Sequence, residues 1–381
     1  VIASRPQRTH PISQPLPLEL DLEMTTSKVS PPTTTPPPAA AGKIESPDRL
    51  LAPYKRADDR KALFQLVTTA ALFAGMWFLM WRSLAGPYWL TLLLALPTAG
   101  LSIRLFIFQH DCGHGSFFST RRANDAVGRV LGVVTLIPYT YWRRTHAIHH
   151  ATAGNLDRRE FGDVATLTVK EYLARPWHRR IAYRLYRNSL VLFFIGPAYQ
   201  FILKNRFPFD TPREWKREWR SVMLTNLALA GVVAVAWATI GIGSFIAVQL
   251  PITLIAGTVG IWLFYIQHQF EDTYWESGDG WSFHSAGLEG SSFYDLPKVL
   301  HWFTGNIGYH HIHHLSSKIP NYRLRQCMIE NPELQDAPRL TLWQSFKCAR
   351  LKLWDEELRR LVTFRRLRQL RSLAAADGAS G

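Results

Sequence analysis

The chain has 381 residues and a formal net charge of +15; 47% of its residues are hydrophobic and 13% aromatic. Length alone would suggest two or three soluble domains, but several apolar runs are long enough to cross a bilayer, and that sets the soluble class aside. The mean hydropathy of −0.07 is ordinary only because a polar tail and Arg-rich segments dilute those runs.

The basic excess lies beside or between the apolar runs, as in "RRANDAVGR", "RPWHRRIAYRLYR" and "RRLVTFRRLRQLR". Such flanks read as cytosolic anchors against anionic lipid. No recognition motif accompanies the charge, so nucleic acid is not expected as a partner. Three cysteines, Cys112, Cys327 and Cys348, form no disulfide framework and no C-x-x-C, which fits a reducing compartment.

Residues 1–47 include "SPPTTTPPPAAAGKIESP", a Pro/Thr/Ala composition that cannot build a core and reads as a disordered tail. It lacks the basic start and apolar core of a signal peptide. Met24 opens "MTTSKVS" and is a candidate natural start. A membrane domain is expected over 48–372, with a short flexible end at 373–381.

Four spans follow from the roughly 20 apolar residues a crossing helix needs. The first is Ala62–Trp81, and after "RSLAG" the second runs from Tyr88 to about Phe108. The third covers Val222 to about Ile240, and after "GIGS" the fourth covers Phe245–Ile266. Each pair is a hairpin whose connection is too short to hold a domain. The N-terminal "YKRADDRK", the middle segment and the C-terminal segment therefore share one face, and their Lys and Arg content predicts that it is cytosolic. "VGRVLGVVTLIPY" and "LVLFFIGPAYQFIL" are too short or too interrupted to span, and are expected in the interface or under the cytosolic cap.

Histidines concentrate just beyond these spans. "HDCGH" holds His110 and His114, "HAIHH" holds His146, His149 and His150, and "HHIHH" holds His310, His313 and His314. Spacings of three and four put the imidazoles of each cluster on one helical face. One pair alone would more often be surface histidines. Three matched clusters on one side of the membrane are another matter, because burying so many imidazoles without a ligand would cost roughly a few kcal/mol per group.

Imidazole suits zinc, copper and iron alike. Zinc takes three or four protein ligands, so eight are too many for one ion, and a pair of ions uses the set. No Glu-x-x-His repeats mark a carboxylate-bridged di-iron bundle, and no His-Glu-x-x-His marks a zinc protease. A nitrogen-ligated di-iron centre remains.

With "HDCGHGSFF", "HAIHHATAGNLDRR" and "GNIGYHHIHHLSSKIPNYRL" in this order between hairpin pairs, the chain resembles the integral-membrane fatty acid desaturases, and most of all the bacterial acyl-lipid ones. The resemblance runs from about Leu50 to Arg325. It implies an all-α membrane protein, four spans as two hairpins, with a cytosolic helical cap holding two irons on His110, His114, His146, His149, His150, His310, His313 and His314. It also implies a ninth ligand, His268 in "FYIQHQFED" at the end of the fourth span; the bland alternative is a histidine that orders Glu271 or Asp272. Around this set, His311 faces away and is expected to support the ligands from behind. His301 and His284 read as structural. Asn306, Asp111 and Asp163 are candidates to hydrogen-bond a ligand imidazole. Cys112 points off the ligand face and receives no role.

A mid-chain methylene has no acidic proton and no leaving group, so its oxidation needs a metal centre and dioxygen. Two external electrons and two from the C–H bonds reduce dioxygen to two waters. No His-Pro-Gly-Gly haem motif or Gly-x-Gly-x-x-Gly flavin site is present, so the donor is expected to be separate: an acidic ferredoxin first, cytochrome b5 second. The expected substrate is a fatty acyl lipid, or acyl-CoA or acyl carrier protein, desaturated at a delta-12/omega-6-like or other mid-chain position in a bacterial inner membrane. The nearest rival keeps the site but inserts oxygen, as a lipid, alkane or carotenoid hydroxylase or ketolase. A metal transporter or sensor is disfavoured because transport sites usually lie near the midplane.

Overall fold

The structure is a computed structural model that describes residues 47–159 and 162–369. Except for Pro47, the expected tail at 1–47 lies outside the described residues, as do Met24 and the end at 373–381.

Four long helices carry the apolar runs: α1 (Asp59–Ser83), α2 (Tyr88–His114), then, after the elements given below, α7 (Lys216–Ile240) and α8 (Ile242–His268). At 1.5 Å per residue, 25 residues rise about 37 Å, more than the ~30 Å hydrocarbon core. All four match the expected spans, and each continues beyond its apolar stretch. Those extensions matter, because the last turns of α2 and α8 lift His110, His114 and His268 clear of the spans.

Local chemistry explains the hairpins. The Asp58 side chain caps α1 by accepting from the Lys61 amide at 3.1 Å. Only Leu84–Pro87 separate α1 from α2, and Pro87 starts α2 in extended backbone. Gly241 alone joins α7 to α8, at φ 82, a left-handed conformation that favours glycine.

Among the spans α2 is central. Of its apolar window 56% is buried, against 11% for α1 and for α7, which leave Phe64, Phe78, Leu227 and Trp237 exposed. Outward apolar side chains on the outer helices are what a lipid-facing surface requires.

Between the hairpins come α3 (Arg121–Val134), α4 (Tyr139–Thr152), α5 (Trp177–Tyr186) and α6 (Val191–Lys204). Thr120 caps α3 through the Ala123 amide. Phe108, Phe117, Leu131 and Tyr139 weld α2, α3 and α4 into one core. The 14 residues of α6 rise about 21 Å, too little to cross. Instead α6 seats Phe201 against Gly257 of α8, where a Cβ would stand 2.8 Å from the ring.

After α8 the chain builds the rest of the cap with α9 (Lys298–Phe303), α10 (His310–Leu315) and α11 (Asn321–Glu330). Where all-α structure was expected, five strands of two or three residues also occur among the described residues: β1 (Leu167–Thr168), β2 (Phe293–Asp295), β3 (Arg339–Thr341), β4 (Leu353–Asp355) and β5 (Arg360–Val362). They form the order β1-β4-β5, with β1 parallel and β5 antiparallel to β4, and a parallel β2-β3 pair. These strands tie segments of the cap that no helix connects.

Arg187 locks the cap onto α8. Fully buried, it donates to Thr166 Oγ1 (2.7 Å), Gln269 Oε1 (3.0 Å), Tyr265 Oη (3.2 Å) and the carbonyls of Ala165 (3.2 Å) and Leu351 (3.1 Å). Five neutral acceptors disperse one charge where water cannot reach it.

Candidate metal centre

The three histidine clusters and His268 converge from four helices. The end of α2 brings His110 and His114, α4 brings His146, His149 and His150, the end of α8 brings His268, and α10 brings His310, His313 and His314. They sort into two groups able to hold a metal ion: His110, His114, His146, His150 and His313 in one, His149, His268, His310 and His314 in the other. Within each group the candidate ligand atoms lie within 4.8 Å of one another. Neither group contains a carboxylate or a thiol.

The ring nitrogens face each other at short range. In the five-histidine group His150 Nε2 stands 3.1 Å from His146 Nε2 and 3.0 Å from His313 Nε2. In the other, His268 Nε2 stands 3.1 Å from His149 Nε2 and 2.9 Å from His310 Nε2. Two nitrogens bound to one first-row ion at about 2.0–2.1 Å and at right angles are about 3 Å apart. The groups adjoin: the rings of His150 and His314 stack with centroids 4.1 Å apart.

Electrostatics prepares these rings as ligands. Burial first, and then repulsion from neighbouring imidazoles, holds His146, His150, His310, His313 and His314 well below the ordinary histidine range. They are therefore neutral at pH 7, with lone pairs available. His114 Nε2 and His314 Nε2 are buried without a hydrogen-bond partner, a costly arrangement that a bound cation would relieve. The residues fit a metal site on donor chemistry and spacing together.

Behind the ligand nitrogens, three rings are oriented through Nδ1. His149 Nδ1 lies 2.6 Å from Asp163 Oδ1, His110 Nδ1 lies 3.0 Å from Asp111 Oδ1, and His268 Nδ1 lies 3.2 Å from the Gly290 carbonyl. With Nδ1–H donating, Nε2 is left as the acceptor. Asp111 is itself held by Asn321, whose amide and Nδ2 donate to Oδ2 at 2.7 and 2.9 Å.

Asp111 and Asp163 thus touch imidazoles, while Asn306 does not: its Nδ2 donates to the Asn321 carbonyl at 3.2 Å, one link further back. His311 is fully buried but outside both groups, against Phe293 and the backbone of Ser292 and Leu334, and burial lowers it to about 4. His301 accepts from the Leu296 amide and stacks on Tyr309, away from both groups. His284 lies exposed beside Phe283, and Cys112 packs in the apolar core with Phe108.

Sequence reasoning missed Trp142, Asn321 and Gly290. Trp142 stacks on His146 with centroids 4.5 Å apart, and its position four residues earlier on one helix was a usable signal. The roles of Asn321 and the Gly290 carbonyl depend on long-range folding, and no local pattern announces them.

The chain is similar to several known proteins. The chain is 45% identical over 320 residues to a fatty acid desaturase of Bacillus subtilis (strain 168), covering 84% of this chain and 90% of that protein. It is 28% identical over 262 residues to an sn-1 acyl-lipid omega-3 desaturase (ferredoxin) of Synechocystis, covering 64% and 68% of the two chains. An sn-1 oleoyl-lipid 12-desaturase of Anabaena variabilis is 29% identical over 289 residues, 70% of this chain and 75% of that one. The fatty acid desaturase family itself matches residues 86–346, a stretch that opens just before α2 and includes all nine converging histidines. A membrane-spanning chain whose family match takes in both histidine groups is an oxidoreductase, and it belongs to the fatty acid desaturase family.

Proposed function

We propose that this enzyme is an acyl-lipid desaturase that inserts a double bond at a delta-12/omega-6-like or other mid-chain position, using two irons. His110, His114, His146, His150 and His313 would hold one ion, and His149, His268, His310 and His314 the other. The observation that carries this reading is the division of nine buried imidazoles into two adjoining groups without an anionic ligand. Zinc would be overfilled by five nitrogens. When bound, the irons supply the oxidizing power, drawn from dioxygen, that an unactivated methylene requires.

The chain's own residues do the rest. Asp163, Asp111 and the Gly290 carbonyl fix the tautomers of His149, His110 and His268. Trp142 holds the His146 ring in plane. The apolar cores around Phe108 and Tyr265 exclude water from the flanks of the site. The balance of the reaction is two hydrogens from the acyl chain, two electrons from a donor and two protons, reducing one dioxygen to two waters.

The electron donor in this reading is a separate acidic ferredoxin. Two observations support it: the cap is rich in arginine, and the relative from Synechocystis is named for ferredoxin. The site faces the cytosol of a bacterial cell in this reading, because the basic flanks share its side of the spans. The oxygen-inserting alternative keeps the same ligands, and the acyl-lipid names of two relatives favour desaturation.

Lipid profiling of a host expressing the chain tests the reaction and its position together. The expected product is a new mid-chain unsaturated acyl species whose double bond is located by fragmentation. A hydroxylated product instead would establish the rival chemistry.

A further inference from the structure

A second polar region adjoins α2 close to the histidine site, with Asn321 among its lining residues. Gln65 of α1, Arg104 of α2, Lys298 of α9, and Asn306, Tyr322 and Arg325 border a cavity of about 430 Å³, and no acidic residue lines it. Arg104 is the deepest of its cations and only 6% exposed. Its Nε donates to Thr69 Oγ1 at 3.2 Å, Nη2 to Gln65 Oε1 at 3.1 Å, and Nη1 to the Trp302 carbonyl. The guanidinium also lies over the rings of Trp302 (4.4 Å) and Phe108 (5.1 Å). All these partners are neutral. Arg104 thus holds a fixed positive charge inside a span, on the same cavity wall as Lys298 and Arg325.

Depth and exposure narrow the ligand. Arg104 is 16 residues from Tyr88, a rise of about 24 Å, which places it near the second edge of a ~30 Å hydrocarbon core. Helix α9 beside it exposes Val299, Leu300 and Trp302, an apolar face with lysine at its start. Phe303 of the same helix packs onto Gly100 of α2, so α9 lies along the span at this level. A ligand here meets positive charge and bilayer at once.

The cavity also communicates with the site. Asn306, on its wall, donates to the Asn321 carbonyl; Asn321 donates to Asp111, and Asp111 contacts His110. Asn306 holds a left-handed backbone at φ 59, uncommon for a residue other than glycine, and this turn presents its side chain to the link.

We propose that this cavity binds the phosphate of a glycerolipid headgroup, with Arg104, Lys298 and Arg325 as its cationic wall. The inference rests on the reading of the enzyme as an acyl-lipid desaturase and names the headgroup chemistry that it selects. Phosphate oxygens accept charge-assisted hydrogen bonds from guanidinium and ammonium groups, and their negative charge suits a wall with three cations and no acidic residue.

Lys298 and Arg325 are exposed and carry the test, because truncating Arg104 would also release Gln65, Thr69 and Trp302. The iron-loaded enzyme in mild detergent would be titrated with phosphatidylglycerol, with a monogalactosyl diacylglycerol of the same acyl chains, and with inorganic phosphate, and bound lipid counted by native mass spectrometry. The expected result is a preference for the phospholipid that falls about 100-fold in the Lys298→Ala/Arg325→Ala double variant, about tenfold for each of the two lost charge-assisted contacts. Inorganic phosphate should compete only weakly. In turnover the same variant should raise KM for phospholipid while kcat stays within about twofold and iron content is unchanged.

Equal binding of both lipids, or a preference untouched by the double substitution, would overturn the proposal. Strong competition by inorganic phosphate without any lipid preference would overturn the headgroup assignment. A chain that bound phospholipid through these cations yet desaturated no lipid would instead refute the proposed activity, and the two failures are thereby separable.

Discussion

Asp163 Oδ1 lies 2.6 Å from His149 Nδ1, on the side of the ring opposite the Nε2 that faces His268. A carboxylate in this position fixes the ring's tautomer and raises its basicity toward a metal. Asp163→Asn should therefore reduce metal affinity of the four-histidine group by about 10–100-fold. Iron per chain, measured by elemental analysis after dialysis against a weak chelator, should fall in Asn and Ala variants alike and recover in Glu. Full iron retention in the Ala variant would show that His149 needs no such support.

His149→Ala should abolish product and lower bound iron while the protein stays in the membrane, since the ring ends in the ligand group. His311→Ala should keep iron and part of the activity, because His311 sits outside both groups. Its cost is a buried cavity, about 1–3 kcal/mol, visible as a lower melting temperature. Iron loss in the His311 variant would place that ring among the ligands.

Removal of the Arg187 side chain leaves five buried acceptors without their donor. Arg187→Ala should destabilise the cap by about 3 kcal/mol or more. Arg187→Lys should recover only part, since an ammonium cannot span the same acceptors. Limited proteolysis around residues 165–190 is a direct readout, and unchanged resistance in both variants would contradict the locking role.

The metal-free protein should lose stability as pH falls. Burial keeps His146, His150, His310, His313 and His314 well below the ordinary value of about 6.5 in the folded chain, and His311 at about 4. Above about 6.5 these rings are neutral in both states and the stability is fully present. Below it the unfolded chain binds protons that the folded chain refuses, so each ring removes up to about 1.4 kcal/mol per pH unit. Melting temperatures of chelated protein at pH 7.5 and 5.5 should differ by many degrees; equal values would mean that the folded cluster takes up protons freely.

Tags at the N-terminus, near Arg180 and at the C-terminus should all report the cytosol. The basis is that α3, before Arg180, and α6, after it, have 14 residues each and rise only about 21 Å. Cysteine labelling from each side of sealed vesicles would decide it. A tag near Arg180 labelled from outside would mean that the chain crosses between α2 and α7.

Spans and ligand candidates were legible in the sequence because both are local. Twenty apolar residues have one physical solution in lipid, and imidazoles three and four residues apart share a helix face whatever the rest of the chain does. His268 stands alone in sequence, and only resemblance pointed to it. The partition into five and four was not legible, because His149 and His150 are neighbours yet serve different groups. Which way each ring turns depends on Asp163, His146 and His268, contributed by separate segments. Asn306 shows the same limit: its link to His110 through Asn321 and Asp111 exists only after α11 packs on α2.

On the side of the spans away from the histidines, the described chain offers only the turn Leu84–Pro87 and the single residue Gly241. That face is nearly blank. A protease, antibody or soluble partner approaching from there would find almost no backbone to grip. Among the described residues, the surface open to a regulator lies on the histidine side or along the lipid-facing flanks of the spans. Bilayer thickness bears directly on the exposed apolar faces of α1 and α7.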